Sequence, residues 1–237
     1  MTKLDNLRKD LHKFERPEKA KFLKRFFKTG KGEYAEGDFF LGLMTDETRS
    51  VAKKYLNLSF PNLAKLLSSE IHEERVVALM ILSKRFDKVD VLGKKEIYDF
   101  YLKNLDGVNN WDLVDGSASN IIGKYLFESK ASREFLFDFA RSGNLWKRRI
   151  AMMSTFFYIK QNDFKDALKI AEILLNDKHD LIHKAVGWML REVGNRDMVA
   201  EEKFLKIHYK NMPRTMLRYA IEKFPEEKRL KYLNSEI

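Results

Sequence analysis

Cysteine is missing from all 237 residues. Its absence excludes disulfides, thiolate nucleophiles and zinc–thiolate centres, and it suits a reducing compartment. Proline occurs only 4 times, so few positions can interrupt a helix. A strand would need alternating polar and β-branched apolar residues, and almost no segment alternates strictly. No run approaches the roughly 20 apolar residues of a membrane span. Met1-Thr2-Lys3-Leu4-Asp5-Asn6 has no apolar stretch of signal-peptide length. Together these absences predict a cytoplasmic protein. Acidic residues are also in deficit: 35 Asp and Glu face 45 Lys and Arg, a formal charge of +10. That sign favours polyanions, with DNA or RNA first and anionic lipid second. Basic proteins without such partners are common, so charge alone decides little.

What is present is helical. A hydrophobic share of 44% is ordinary for a folded chain, and Leu, Lys, Glu and Ala are abundant, so the expected class is all-α. Residues 1–237 are read as a single domain, with amino-terminal helices and a glycine-rich loop over 1–58 and repeated helix pairs over 59–237. Residues 5–27 predict two short amphipathic helices. Asp5 is the candidate cap of the first; Pro17 stands in the first turn of the second, which carries Phe22, Leu23, Phe26 and Phe27. Residues 28–42 hold glycines at 30, 32, 37 and 42 but lack the spacing of a phosphate-cradling loop. A structured loop folded over neighbouring helices is expected there. Thr45 is the candidate N-cap of the next helix, with Asp46 and Glu47 in its first turn.

From Ser59 the chain repeats. Longer helices are expected at Glu74–Phe86, Asn110–Leu126, Leu145–Lys160, Leu181–Val193 and Met212–Phe224, their starts 36, 35, 36 and 31 residues apart. Helix pairs with that period make an α-solenoid of the HEAT and armadillo kind. In such folds the second helix of each pair lines the concave side, so a curved stack with a basic groove is expected. An irregular helical bundle is the plainer alternative.

Asn109-Asn110-Trp111-Asp112-Leu113-Val114-Asp115-Gly116-Ser117 is ill suited to a plain core helix. Trp111 and Asp115 stand four apart and share a helical face. Trp146-Lys147-Arg148-Arg149 and the run from His183 to Glu192 add cations and a second indole, Trp188, to other second helices. Lys184 and Trp188, and Trp188 and Glu192, are again four apart, so one face can mix phosphate contact with stacking. Each residue also has an ordinary role open to it: tryptophan as core filler, Asp115 as a surface acid, Arg149 as an ion-pair partner. His179 and His183 lack the glutamate of the zinc-protease pattern, and neither a Gly-x-Ser-x-Gly elbow nor a phosphate-binding Gly-x-x-x-x-Gly-Lys-Ser/Thr occurs. Phe135, Phe137, Phe139, Phe156, Phe157 and Tyr158 are expected to pack between repeats.

The segments Asn-Asn-Trp-Asp-Leu-Val-Asp, Leu-Trp-Lys-Arg-Arg-Ile-Ala and His-Lys-Ala-Val-Gly-Trp-Met-Leu-Arg-Glu resemble the signatures of the AlkD-like DNA alkylation repair family. The resemblance runs from about residue 15 to about residue 225. It implies a curved stack of HEAT-like repeats and a glycosylase acting on double-stranded DNA, removing purines alkylated at N3 or N7 without metal or organic cofactor. The family's first tryptophan and catalytic aspartate fall on Trp111 and Asp115, its arginine on Arg149 in preference to Arg148, and its second tryptophan on Trp188. Arg148, Lys184 and Arg191 join Arg149 as candidate DNA contacts. A monomer of the bacterial cytoplasm or nucleoid, with no membrane partner, is the corresponding expectation. The alternative function is a non-catalytic HEAT-repeat protein that recognises duplex or branched DNA by charge and shape; a protein-interaction scaffold fits the basic balance less well.

Overall fold

A computed structural model describes residues 2–237, and the chain divides into two compact units, Met1–Ser117 and Ala118–Ile237. The first unit holds α1 (Lys3–His12), α2 (Pro17–Phe26), α3 (Thr45–Lys54), α4 (Phe60–Leu67), α5 (His72–Phe86) and α6 (Val91–Lys103). It ends within α7 (Trp111–Ala118), which runs on through a π-helical turn, Ser119–Gly123, into α8 (Lys124–Ser129). The second unit continues with α9 (Glu134–Ala140), α10 (Leu145–Lys160), α11 (Lys165–Ile173), α12 (Asp180–Gly194), α13 (Met198–His208), α14 (Arg214–Ala220) and α15 (Glu226–Leu233). Among the described residues there is no strand, only an isolated bridge between Phe39 and Ile71.

The expected period is present. The second helices start at residues 72, 111, 145, 180 and 214, that is 39, 34, 35 and 34 apart. In α12 apolar side chains recur on one face, with Ile182, Ala185, Val186, Met189, Leu190 and Val193 all buried. Within the second unit α12 packs against both α10 and α14. Gly187 makes the second contact possible: a Cβ there would strike the Met216 carbonyl and the Tyr219 side chain. Helix α10, in contrast, is buried all round from Arg149 to Thr155, and again at Tyr158 and Ile159.

The caps differ from expectation. Thr2, not Asp5, occupies the first N-cap: its hydroxyl accepts from the Asp5 N–H at 3.2 Å, and Asp5 accepts from the Thr2 N–H at 2.8 Å. This reciprocal box places Asp5 inside the first turn. Thr45 begins α3 rather than capping it, and Glu47 reaches back to the Met44 N–H at 2.8 Å. The helix expected at Met212–Phe224 is shorter, because Pro213 fixes its start and the backbone tightens to a 3-10 turn at Ile221–Lys223.

Candidate active site

In the first unit the site is built around the start of α7. Asn110 is fully buried; its side-chain oxygen accepts from the Trp111 N–H at 2.8 Å, and its amide nitrogen donates to Asp38 at 3.3 Å. Asp112, in the first turn, accepts from His72 Nε2 at 2.7 Å. The other ring nitrogen, Nδ1, meets Asp38 at 3.2 Å, and Arg75 pairs with the same carboxylate at 2.6 Å. Asp38 thus lies in the reach of both His72 and Arg75, and Asp112 in that of His72.

Burial alone would pull the proton off His72. The charge and hydrogen bond of Asp112, with the hydrogen bond of Asp38, overcome both that and the opposing charge of Arg75, and hold the imidazole protonated with a pKa of about 9. Burial likewise opposes ionisation of Asp38, but the bonds to His72 and Arg75 keep its pKa below the ordinary carboxylate value.

The glycine-rich loop belongs to this network. Glu73, buried beside His72, accepts from the backbone N–H groups of Leu41 at 3.0 Å, Gly42 at 2.8 Å and Leu43 at 3.3 Å. Gly42, at φ +87°, lies where a side chain would strike the Arg16 carbonyl. Phe39 donates to the Glu70 carbonyl and accepts from the His72 N–H, at 2.9 and 2.8 Å. The loop is therefore ordered and folded over α5, as its sequence led one to expect. The arrangement that orders it was not foreseen: four consecutive ionisable residues, His72-Glu73-Glu74-Arg75, are all buried at the start of α5. Glu74 takes a bidentate pair from Arg8 at 2.9 and 3.0 Å. The run of four charges leading straight into Val76-Val77-Ala78-Leu79 was the available signal.

Trp111 is half-buried. Phe27 lies parallel to its ring at 5.1 Å and 12°, and Phe26 meets it edge-on at 5.9 Å and 72°. Phe27 in turn stacks on Phe40, and Phe40 on His72 at 4.6 Å. One indole face is thus stacked on the protein, and the ring as a whole stays partly exposed. Asp115 stands one turn along, half-buried. Burial raises the pKa of the nearby Tyr101 hydroxyl against the contrary hydrogen bond with Ser117, 2.8 Å away, and the charge of Asp115 adds a smaller push in the same direction as burial.

In the second unit Trp188 is half-buried on α12, its Nε1 donating to Glu192 at 3.2 Å and its ring 5.8 Å from Phe156. Arg149, expected on a phosphodiester, is buried, and its guanidinium donates to the Leu181 carbonyl. Arg148 pairs with Asp177 at 2.6 Å and donates to the carbonyls of Ser142 and Gly143. Both arginines therefore tie α10 to the approach and first turn of α12. Arg191 pairs with Glu222. Lys184, paired with Asp180 at 2.6 Å, keeps 40% of its side chain exposed, the most of the four. His179 accepts from the Leu181 N–H, and His183 meets the Asp177 carbonyl at 2.6 Å, so both close the turn into α12.

The chain is similar to known proteins along most of its length. In fold it resembles a predicted DNA alkylation repair enzyme from Enterococcus faecalis, at 17% identity and a TM-score of 0.69 over 90% of this chain and 97% of that one. It also resembles AlkD2 from Streptococcus mutans, at 17% identity and a TM-score of 0.56 over 86% and 99%. Among curated proteins none matches significantly. At these identities the two structures speak for the repeat-helical fold alone. The sequence model described as DNA alkylation repair enzyme matches residues 7–224, and so the chain belongs to the DNA alkylation repair enzyme family.

Proposed function

We propose that the protein is a monofunctional DNA glycosylase that hydrolyses the N-glycosidic bond of cationic alkylated purines, 3-methyladenine and 7-methylguanine, in duplex DNA. Family membership over residues 7–224 carries this reading, and the pairing of a partly accessible indole with a partly accessible carboxylate one turn apart supports it. Alkylation at N3 or N7 gives the purine a positive charge, so the base leaves as a neutral molecule. The C1′–N bond breaks with its electron pair passing to the base, and positive charge develops on the sugar. Water then adds to C1′ and releases a proton.

Asp115 is the residue for that charge: an anion beside C1′ lowers the barrier to the oxocarbenium-like state and can orient the water. The partly exposed indole of Trp111 attracts the cationic base, an effect worth roughly 0.5–2 kcal/mol, and Trp188, in the second unit, is proposed as a further indole able to attract a cationic purine. Lys184 is the phosphate contact, since an exposed pair with Asp180 costs little to exchange. Arg149, Arg148 and Arg191 act by holding the helices that carry Trp188 and Lys184. No metal or organic cofactor enters this scheme.

Release of free 3-methyladenine or 7-methylguanine from methylated DNA tests the proposal. Wild-type protein is expected to exceed the spontaneous rate, and Asp115→Asn to lose at least about 100-fold in release while still binding DNA. Binding without release by the wild type would instead leave a non-catalytic DNA-binding repeat protein.

A further inference from the structure

Helix α2 leaves two phenylalanines in water. Phe22 and Phe26 are 55% and 54% exposed and lie one turn apart, their rings stacked with centroids 6.1 Å apart and planes within 17°. Leu23, between them, turns the other way into the cluster of Phe27, Ala35 and Phe40. Phe26 also touches Trp111 edge-on, so the exposed pair is continuous with the indole assigned above to the damaged base. Cations surround it. Lys21, Lys24, Arg25 and Lys28 are exposed, and Glu18 is the one acid of α2. Among the described residues Lys21, Arg25 and Lys28 form no ion pair, and the Lys24 ammonium lies 5.1 Å over the ring of Phe39, itself 50% exposed.

We infer that Phe22 and Phe26 form a stacking platform for an unpaired DNA base, with Lys21, Arg25 and Lys28 holding the flanking phosphates. The inference rests on the reading of this chain as a DNA repair enzyme, and it names the feature of the strand that the first unit meets. Flat rings at nearly common tilt, bordered by cations that lack internal partners, complement a strand that offers both an aromatic face and phosphates. Stacking is tolerant of sequence, because every base has such a face. A lipid surface fits less well. A helix lying in a membrane interface needs an apolar stripe along its length, whereas α2 has 10 residues and exposes two large apolar side chains.

The platform is tested without any chemistry. The full-length protein is titrated against a lesion-free duplex carrying one bulged 2-aminopurine and against the same duplex fully paired. Wild-type protein is expected to bind the bulged duplex about tenfold more tightly, the size of one stacked base, and to quench the 2-aminopurine emission. Phe22→Ala, which leaves the Trp111 contacts intact, should remove both the preference and the quench and bind the paired duplex as before. Lys21→Gln with Arg25→Gln should weaken both duplexes alike. Equal affinity of the wild type for the two duplexes, an unchanged emission, or a preference that survives Phe22→Ala would overturn the platform. So would binding to phosphatidylserine vesicles that Phe22→Ala abolishes, which would place a lipid surface there instead. Base release without the bulge preference would sink the platform alone, and the preference without base release would sink the proposed chemistry alone.

Discussion

His72 shows how one residue connects folding to the site. It is a buried imidazole held charged because Asp112 and Asp38 flank it, with Arg75 the opposing cation in the group. Its folded pKa of about 9 lies above the ordinary 6.5, so the folded state binds the proton more tightly than the unfolded chain. The resulting stability is fully present below pH 6.5 and is lost as pH rises through about 9. A shift of that size corresponds to roughly 3 kcal/mol. Urea midpoints measured from pH 6 to pH 10 should fall across this window in the wild type. In His72→Gln they should be lower at pH 6 and fall less steeply, the remaining slope coming from buried Glu201, whose pKa burial raises to about 8; a variant that kept the full wild-type slope would remove His72 from the account. The residue was invisible to pattern reading because a helix-start histidine among glutamates looks like a solvated turn. Only the tertiary approach of Asp38 and Asp112, 34 and 40 residues away, makes it a buried ion. Trp111 and Asp115 were legible for the opposite reason: their i, i+4 spacing is local.

At the scale of elements, the helices and their period could be read from apolar spacing, because burial of one face determines both. The caps, and the bonds that set the path of the glycine-rich loop, could not. Thr2 and Glu47 form their bonds across three residues that carry no periodic signal. The loop before α3 owes its shape to a carboxylate about 30 residues away. Glu73 satisfies three backbone N–H groups there, and a charged acceptor contributes about 1.5–3 kcal/mol per well-made bond. Glu73→Gln keeps the size but offers one oxygen in place of two. It should lower global stability by about 2 kcal/mol and, more specifically, open residues 30–43 to limited proteolysis before the helices are cut. Loss of stability with no early cleavage in that loop would show that Glu73 does not latch it. The π-helical turn at Ser119–Gly123 was likewise unforeseen, since one extra residue in a helix leaves both flanking apolar faces in place.

For the whole molecule the relevant quantity is charge. The protein carries an excess of 10 cations over anions, and among the candidate DNA contacts Arg148, Arg149 and Arg191 are engaged by its own carboxylates or carbonyls. Position in a motif does not reveal which cations face outward, because burial depends on the neighbouring repeat. Duplex binding should be salt-dependent, with log K falling by about 0.9 per phosphate contact for each unit of log salt. The partly exposed Lys184 and the buried Arg149 should then separate cleanly. Lys184→Ala is expected to reduce the slope by about 1 and to leave the thermal midpoint unchanged. Arg149→Ala, which removes a charged donor from the Leu181 carbonyl, should cost about 1.5–3 kcal/mol of stability and leave the slope as it was. If instead Arg149→Ala flattens the salt dependence in a protein of undiminished stability, Arg149 grips the phosphodiester directly, and its bond to Leu181 is one that DNA displaces.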